Sequence, residues 1–302
     1  MADPSNDMLL RMFKRQTTGS VVCASCGSLV GVNDETCYSC GRRNPGLWGF
    51  GPMLRTFGND LGFVALVVYG CSALYIISLI FTVANGGDIM GSGSLLGILA
   101  PAYQVELALG AAGAEPVFLY HRWWTVLSAS WLHGNALHIL FNVLWIRQLG
   151  PTVADIYGPG RMVIIYTVAG VVGFTISSFA GFYLHAFPIP FLRGAMLTLG
   201  ASAPIFGLLG ALVHYGSRGG SSSIRSEALG YAITLGIMGF IFQGVDNYAH
   251  FGGFVGGYLA SAFLDPLRKE RMDHLVLAAV CMIATALAIL ASAVQFYPLL
   301  IP

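Results

Sequence analysis

Seven stretches of the chain are apolar and close to the ~20 residues needed to cross a bilayer. They run over 61–84, 136–156, 160–184, 199–216, 227–244, 247–265 and 274–296. The stretches beginning at 199 and 247 are short and glycine-rich, so hydropathy alone ranks them lower. A long loop, 85–135, separates the first two. Its closing run "EPVFLYHRWWTVLSASWLHGN" is amphipathic and aromatic, which predicts a segment lying in the membrane interface. Residues 1–58 are mixed and polar and end in "RRNPGLWGFGP", a Pro/Gly-rich linker carrying an interfacial Trp48 and Phe50. The expected division is a soluble segment 1–58, a membrane core 59–266, and a last span with the C-terminus, 267–302.

Composition supports the membrane reading. Hydrophobic residues make up 56% of the chain and charged residues 10%, and mean hydropathy is +0.71. Soluble domains carry about 25% charged residues. A net charge of +1, with no basic tract interleaved with aromatics, argues against nucleic-acid binding. No short apolar region followed by a small-residue cleavage site precedes residue 60, so the first span is expected to serve as the targeting element. Basic residues then set the orientation. With the N-terminus inside, Arg11, Lys14, Arg15, Arg42, Arg43, Arg55, Arg147, Arg161, Arg218, Arg225, Arg268, Lys269 and Arg271 are cytoplasmic, and only Arg122 and Arg193 are outside. This asymmetry predicts a cytosolic N-terminus and an external C-terminus.

Four of the six cysteines, Cys23, Cys26, Cys37 and Cys40, fall in the pattern C-x2-C-x10-C-x2-C, each pair followed by glycine. Such knuckles present two thiolates each to one tetrahedral ion, and structural Zn2+ is favoured over a pair of disulfides. A reducing cytosol favours it further. Cys71 and Cys281 lie in apolar runs and read as small buried hydrophobes.

Polar groups inside spans are costly and are functional candidates. "WLHGNALHILFN" opens the second span with His133, His138 and Asn142, "LGASAPIFG" opens the fourth with Ser202, and "NYAHFGGFVGG" opens the sixth with Asn247 and His250. All three spans begin on the outer side, so these groups share one shallow layer. Each has a plainer reading alone: Ser202 as a helix N-cap, the histidines as packing residues, His138 and Asn142 as hydrogen-bond partners of a neighbouring helix. The glycines add to the pattern. Gly253 and Gly257 share the helix face of His250, and Ala203, Gly207, Gly210 and Ala211 form a small-residue stripe on the fourth span. Small faces let helices approach closely, and closeness is what a serine nucleophile and a histidine base require.

Together, "GASA", "HGNALHILFN" and "AHFGGFVGG" resemble the G-x-S-x, H-x4-H-x3-N and A-H-x-x-G motifs of the rhomboid family of intramembrane serine proteases, in the family's order. The resemblance covers about 60–266 plus a seventh span. The segment "CASCGSLVGVNDETCYSCGRR" is similar to a zinc-ribbon extension of some bacterial members. The resemblance implies an all-α multi-pass fold with a six-helix core, a seventh transmembrane helix and a small N-terminal zinc ribbon. It implies Ser202 as nucleophile and His250 as base. His138, Asn142 and the Ser202 backbone N–H would form an oxyanion hole, with Gly200 in the serine loop and Phe206 packed against the base. No cofactor is expected in catalysis. Expected partners are single-pass transmembrane substrates, the lipid bilayer of a bacterial inner membrane, and a cytosolic partner of the ribbon.

Two departures stand out. The family's loop carries a Trp-Arg pair where this chain has Trp124-Thr125, with Arg122 nearby, and Ala203 follows the serine where glycine is usual. If the turn needs a positive φ at Ala203, the alanine is strained. Asp246, four before His250, reads better as a helix cap than as a third catalytic residue. The competing readings are a catalytically silent rhomboid-like protein that binds or escorts membrane clients, and a solute transporter. The transporter would show an internal repeat and paired midplane charges, and the chain displays neither.

Overall fold

A helix lies on every stretch read as a span. The computed structural model describes residues 15–23, 27–51, 58–90, 97–189, 192–242, 244–268 and 270–297. Its helices are α1 Phe63–Ala84, α2 Tyr103–Leu109, α3 Ala136–Tyr157, α4 Pro159–Leu184, α5 Ser202–Ser217, α6 Ser222–Ile241, α7 Asn247–Phe263 and α8 Met272–Gln295. Four of them, α1, α4, α6 and α8, are long and apolar enough to cross a membrane. At 1.5 Å per residue, the 16 residues of α5 and 17 of α7 fall short of a ~30 Å hydrocarbon core. α5 has little need to match it, because every residue from Ala203 to His214 is buried by neighbouring helices. The protein is a multi-pass membrane protein.

Caps set the helix starts. The Asn135 side chain accepts the His138 N–H at 2.8 Å and opens α3. Ser221 accepts the Ile224 N–H at 3.3 Å, so α6 begins at Ser222, in a polar first turn that hydropathy leaves outside the span. Pro159 begins α4, where its missing N–H costs nothing.

The centre of the molecule is α4, α5 and α7, packed backbone against backbone. A Cβ on Gly253 of α7 would lie 2.1 Å from the Ala203 carbonyl oxygen of α5, and one on Gly257 2.1 Å from that of Gly207. On Gly207 it would meet Ala169 of α4 at 2.1 Å, and on Gly173 of α4 the Ala249 oxygen at 2.6 Å. α6 stands apart, with only Ala228 and Gly239 buried.

The α1–α3 connection is a chain of short pieces: α2, a π-helical turn Glu115–Leu119, an α-turn Thr125–Ser128 and a 3-10 turn Ala129–Trp131. A fully buried Arg122 ties them together, donating to the Leu107 carbonyl at 2.6 Å and lying 4.3 Å over the Phe296 ring.

Before the membrane helices, β1 Ser20–Val22 and β2 Leu29–Gly31 pair antiparallel, with Val21 opposite Val30.

Candidate active site and metal centre

The segment entering α5 is bonded to the α1–α3 connection. Ala112 and Thr198 exchange backbone hydrogen bonds of 2.9 and 2.7 Å, and the Gly200 N–H donates to the Ala129 carbonyl at 2.9 Å. Gly200 has φ +124°, a conformation glycine adopts without strain. A Cβ there would lie 2.5 Å from His138 Nε2 and 3.6 Å from Ser202 Oγ. Glycine therefore makes room for the imidazole beside the hydroxyl.

Ser202 is the first residue of α5, and the N-cap is Ala201. Its hydroxyl caps nothing; it lies 2.9 Å from His250 Nε2. The His250 ring stacks on Phe206 at 4.3 Å between centroids and 16° between planes, four residues after the serine on the same face. His250 Nδ1 has no hydrogen-bond partner among the described residues. Asp246 does not reach it, because one carboxylate oxygen accepts the Ala249 N–H at 3.0 Å and the other is bonded by the Ser177 hydroxyl. Asp246 is a helix cap.

His138 Nδ1 accepts the Gly134 N–H at 3.4 Å. That bond assigns the ring proton to Nε2, the atom over Gly200, leaving it a donor toward the serine. Asn142 is buried one turn along α3, and its amide donates to the His138 carbonyl at 2.8 Å. The Ser202 N–H, in the first turn of a helix, has no intrahelical acceptor. Ala203 is helical, wholly buried and free of positive φ. The strain that alanine would carry there does not arise. The site is thus a hydroxyl–imidazole pair beside a ring N–H, suited to moving one proton and stabilising a nearby developing negative charge.

Sequence reasoning named Arg122 only as a basic residue near the Trp124-Thr125 slot, and it missed the α4 glycines. A buried arginine leaves no periodic signal, and Gly173 becomes informative only once α4 is known to lie between α5 and α7.

In the ribbon, Sγ of Cys23, Cys37 and Cys40 all lie within 4.8 Å of one another, and Cys23 and Cys40 are 3.8 Å apart. Ligands ~2.3 Å from a tetrahedral ion are about 3.8 Å apart, whereas a disulfide is ~2.05 Å. The three thiols fit a metal ion; Cys26 lies outside the described residues. Each knuckle closes alike, with Gly27 N donating to Cys23 O at 3.1 Å and Gly41 N to Cys37 O at 2.8 Å.

The architecture and site define a polytopic membrane protein with a serine–histidine pair between two closely packed helices. The Rhomboid domain family model matches residues 120–267. YdcA of Bacillus subtilis (strain 168), named as a rhomboid protease, is 30% identical over 172 residues, covering 54% of this chain and 74% of the relative. The chain belongs to the rhomboid family. Rhomboid protease GluP of the same organism is 32% identical over 171 residues, 56% of this chain and 31% of GluP. RHOMBOID-like protein 4 of Arabidopsis thaliana is 31% identical over 170 residues, 54% and 39% respectively. The chain thus spans about a third of the length of these last two. Another Arabidopsis relative is named inactive.

Proposed function

We propose that the protein is an intramembrane serine endopeptidase that cleaves single-pass transmembrane substrates near the outer face of a bacterial inner membrane. The carrying observation is the 2.9 Å contact between Ser202 Oγ and His250 Nε2. His250 takes the serine proton as the hydroxyl attacks the scissile carbonyl, then returns it to the leaving amine. His138 Nε2–H, the Asn142 amide and the Ser202 N–H stabilise the oxyanion; each donor of this kind is worth ~10²–10³ in rate. Phe206 holds the base in plane. The mechanism is a dyad, since among the described residues no carboxylate reaches His250 Nδ1.

The remaining proposals follow from sequence. The N-terminus is cytosolic and the C-terminus external, as the basic residues require. The chain divides into 1–58, 59–266 and 267–302. The Cys cluster holds structural Zn2+, with Cys26 as fourth ligand, giving thiolate coordination that fastens the two knuckles and takes no part in catalysis.

The test is cleavage of a transmembrane substrate in liposomes by wild type, Ser202→Ala and His250→Ala. Cleavage only by wild type is expected, and equal cleavage by all three would sink the assignment. Client binding without cleavage by wild type would favour the silent, escorting reading.

A further inference from the structure

The ribbon meets the membrane core at the α7–α8 connection, where Arg42 touches Met272 two residues after Glu270. On the ribbon side stands Arg42, next after the second knuckle. Its carbonyl accepts the Cys37 N–H at 2.8 Å, while Gly41 N donates back to Cys37 O. Arg42 is therefore part of the hydrogen-bonded unit that presents Cys37 and Cys40. Its side chain is almost fully buried and Nη2 contacts Met272 Sδ, at the first residue of α8.

On the core side stands Glu270. Its carboxylate accepts the Arg161 N–H at 2.8 Å and lies against Gly158 and Gly160, where Cβ atoms would sit 2.7 and 3.0 Å from its oxygens. A carboxylate from the α7–α8 connection thus supplies the negative charge favoured at the N-terminus of α4. The Arg161 guanidinium turns elsewhere, donating to the Asp265 and Arg268 carbonyls at 2.6 and 2.9 Å. Burial raises the Glu270 carboxyl above its ordinary range, and the charges of Arg161 and Arg42 both oppose that rise. A carboxylate in such a seat is stabilised by a second cation brought in from outside the core.

We infer that the ribbon's partner is this same chain: Arg42 docks beside Glu270 and Met272 and fastens the cysteine cluster to the α7–α8 connection. The docking does not depend on the protease reading. Its coupling to metal rests on the cluster binding zinc, since an ion holding Cys37 and Cys40 also holds the knuckle from which Arg42 projects.

Hydrogen–deuterium exchange on the full-length protein in detergent tests it. Wild type, Arg42→Ala and Glu270→Gln are compared with zinc bound and after EDTA, with zinc content measured on each sample. Exchange across 264–274 is expected to rise on the order of tenfold in Arg42→Ala, and exchange across 36–43 to rise in Glu270→Gln, which leaves the ribbon chemically intact. Wild-type exchange rates in both variants overturn the docking. A response to both variants but none to EDTA that strips the zinc overturns the coupling to metal.

Discussion

The two ends of the helix bundle are joined by opposite means. At the α5 N-terminus, where Ser202 meets His250, the helices are held by what is missing: Gly173, Gly253 and Gly257 let backbones touch, and the paired polar groups are a hydroxyl and an imidazole. At the other end, where α4 begins and α7 gives way to α8, the contact is held by charge. Arg161 is buried on three carbonyls, and Glu270 sits on the α4 N-terminus. A hydroxyl and an imidazole need sub-ångström placement but little electrostatic support. The opposite end needs only to stay closed, and bonds to ionised groups do that while tolerating small displacements.

This contrast is broken first by adding volume at the glycine end. Gly253→Val puts side-chain atoms where even a Cβ would be 2.1 Å from the Ala203 oxygen. The helices must part, with a stability loss of about 3 kcal/mol. The serine and histidine are displaced, and activity of the folded fraction falls at least ~10²-fold. Wild-type cleavage by a folded Gly253→Val protein would show that backbone contact does not position the dyad.

The charged end predicts a different split. Arg161→Ala leaves the carbonyls of Leu264, Asp265 and Arg268 without their donor, and we expect about 3 kcal/mol of lost stability. Activity per folded molecule should stay within about twofold, because distant sites act additively. Unfolding in detergent, read beside turnover of the folded fraction, separates the two. A large loss of turnover would mean that the ends are coupled.

How far the sequence carried the reading follows from the same contrast. Groups costly in lipid announce themselves, so Ser202, His250, His138 and Asn142 were legible as candidates, and the helix starts at 136 and 247 are where the polar motifs put them. The glycine faces of α5 and α7 were legible because their spacing is helical. The charged end was not: Glu270 reaches the α4 N-terminus across more than a hundred residues, and no local pattern marks that pairing. Nor was the inner structure of the α1–α3 connection, where one buried arginine replaces periodicity. Hydropathy also missed the start of α6, because a capped polar turn is helical without being apolar.

A pH-dependent effect is expected at Glu106, in the connection that braces the serine segment. Its Oε1 is buried with no hydrogen-bond partner among the described residues, and burial pushes its carboxyl up to about 8 from an ordinary 4.5. The folded state thus holds this proton more tightly than the unfolded chain. Its contribution to stability is fully present below pH 4.5 and is lost as pH rises through about 8. Glu106→Gln keeps the shape without the ionisation, so its stability should decline less over that window. Parallel stability–pH curves for the two proteins would refute this.

The smallest effect concerns Ala203, the alanine after the serine. Because it is already helical, restoring the glycine usual in the family relieves no strain. It removes a methyl that packs with Ala112, Ala129, Phe174 and Ala249, and adds backbone freedom at the start of α5. Ala203→Gly should therefore cost about 1 kcal/mol of stability. Its backbone N–H remains, so turnover should change by no more than about twofold, the scale of a contact that does not reach the transition state. A gain in turnover with unchanged stability would instead reveal that the methyl restrains the first turn of α5 during the attack of Ser202. The glycine faces of α5 and α7 would then be set for motion as well as for closeness.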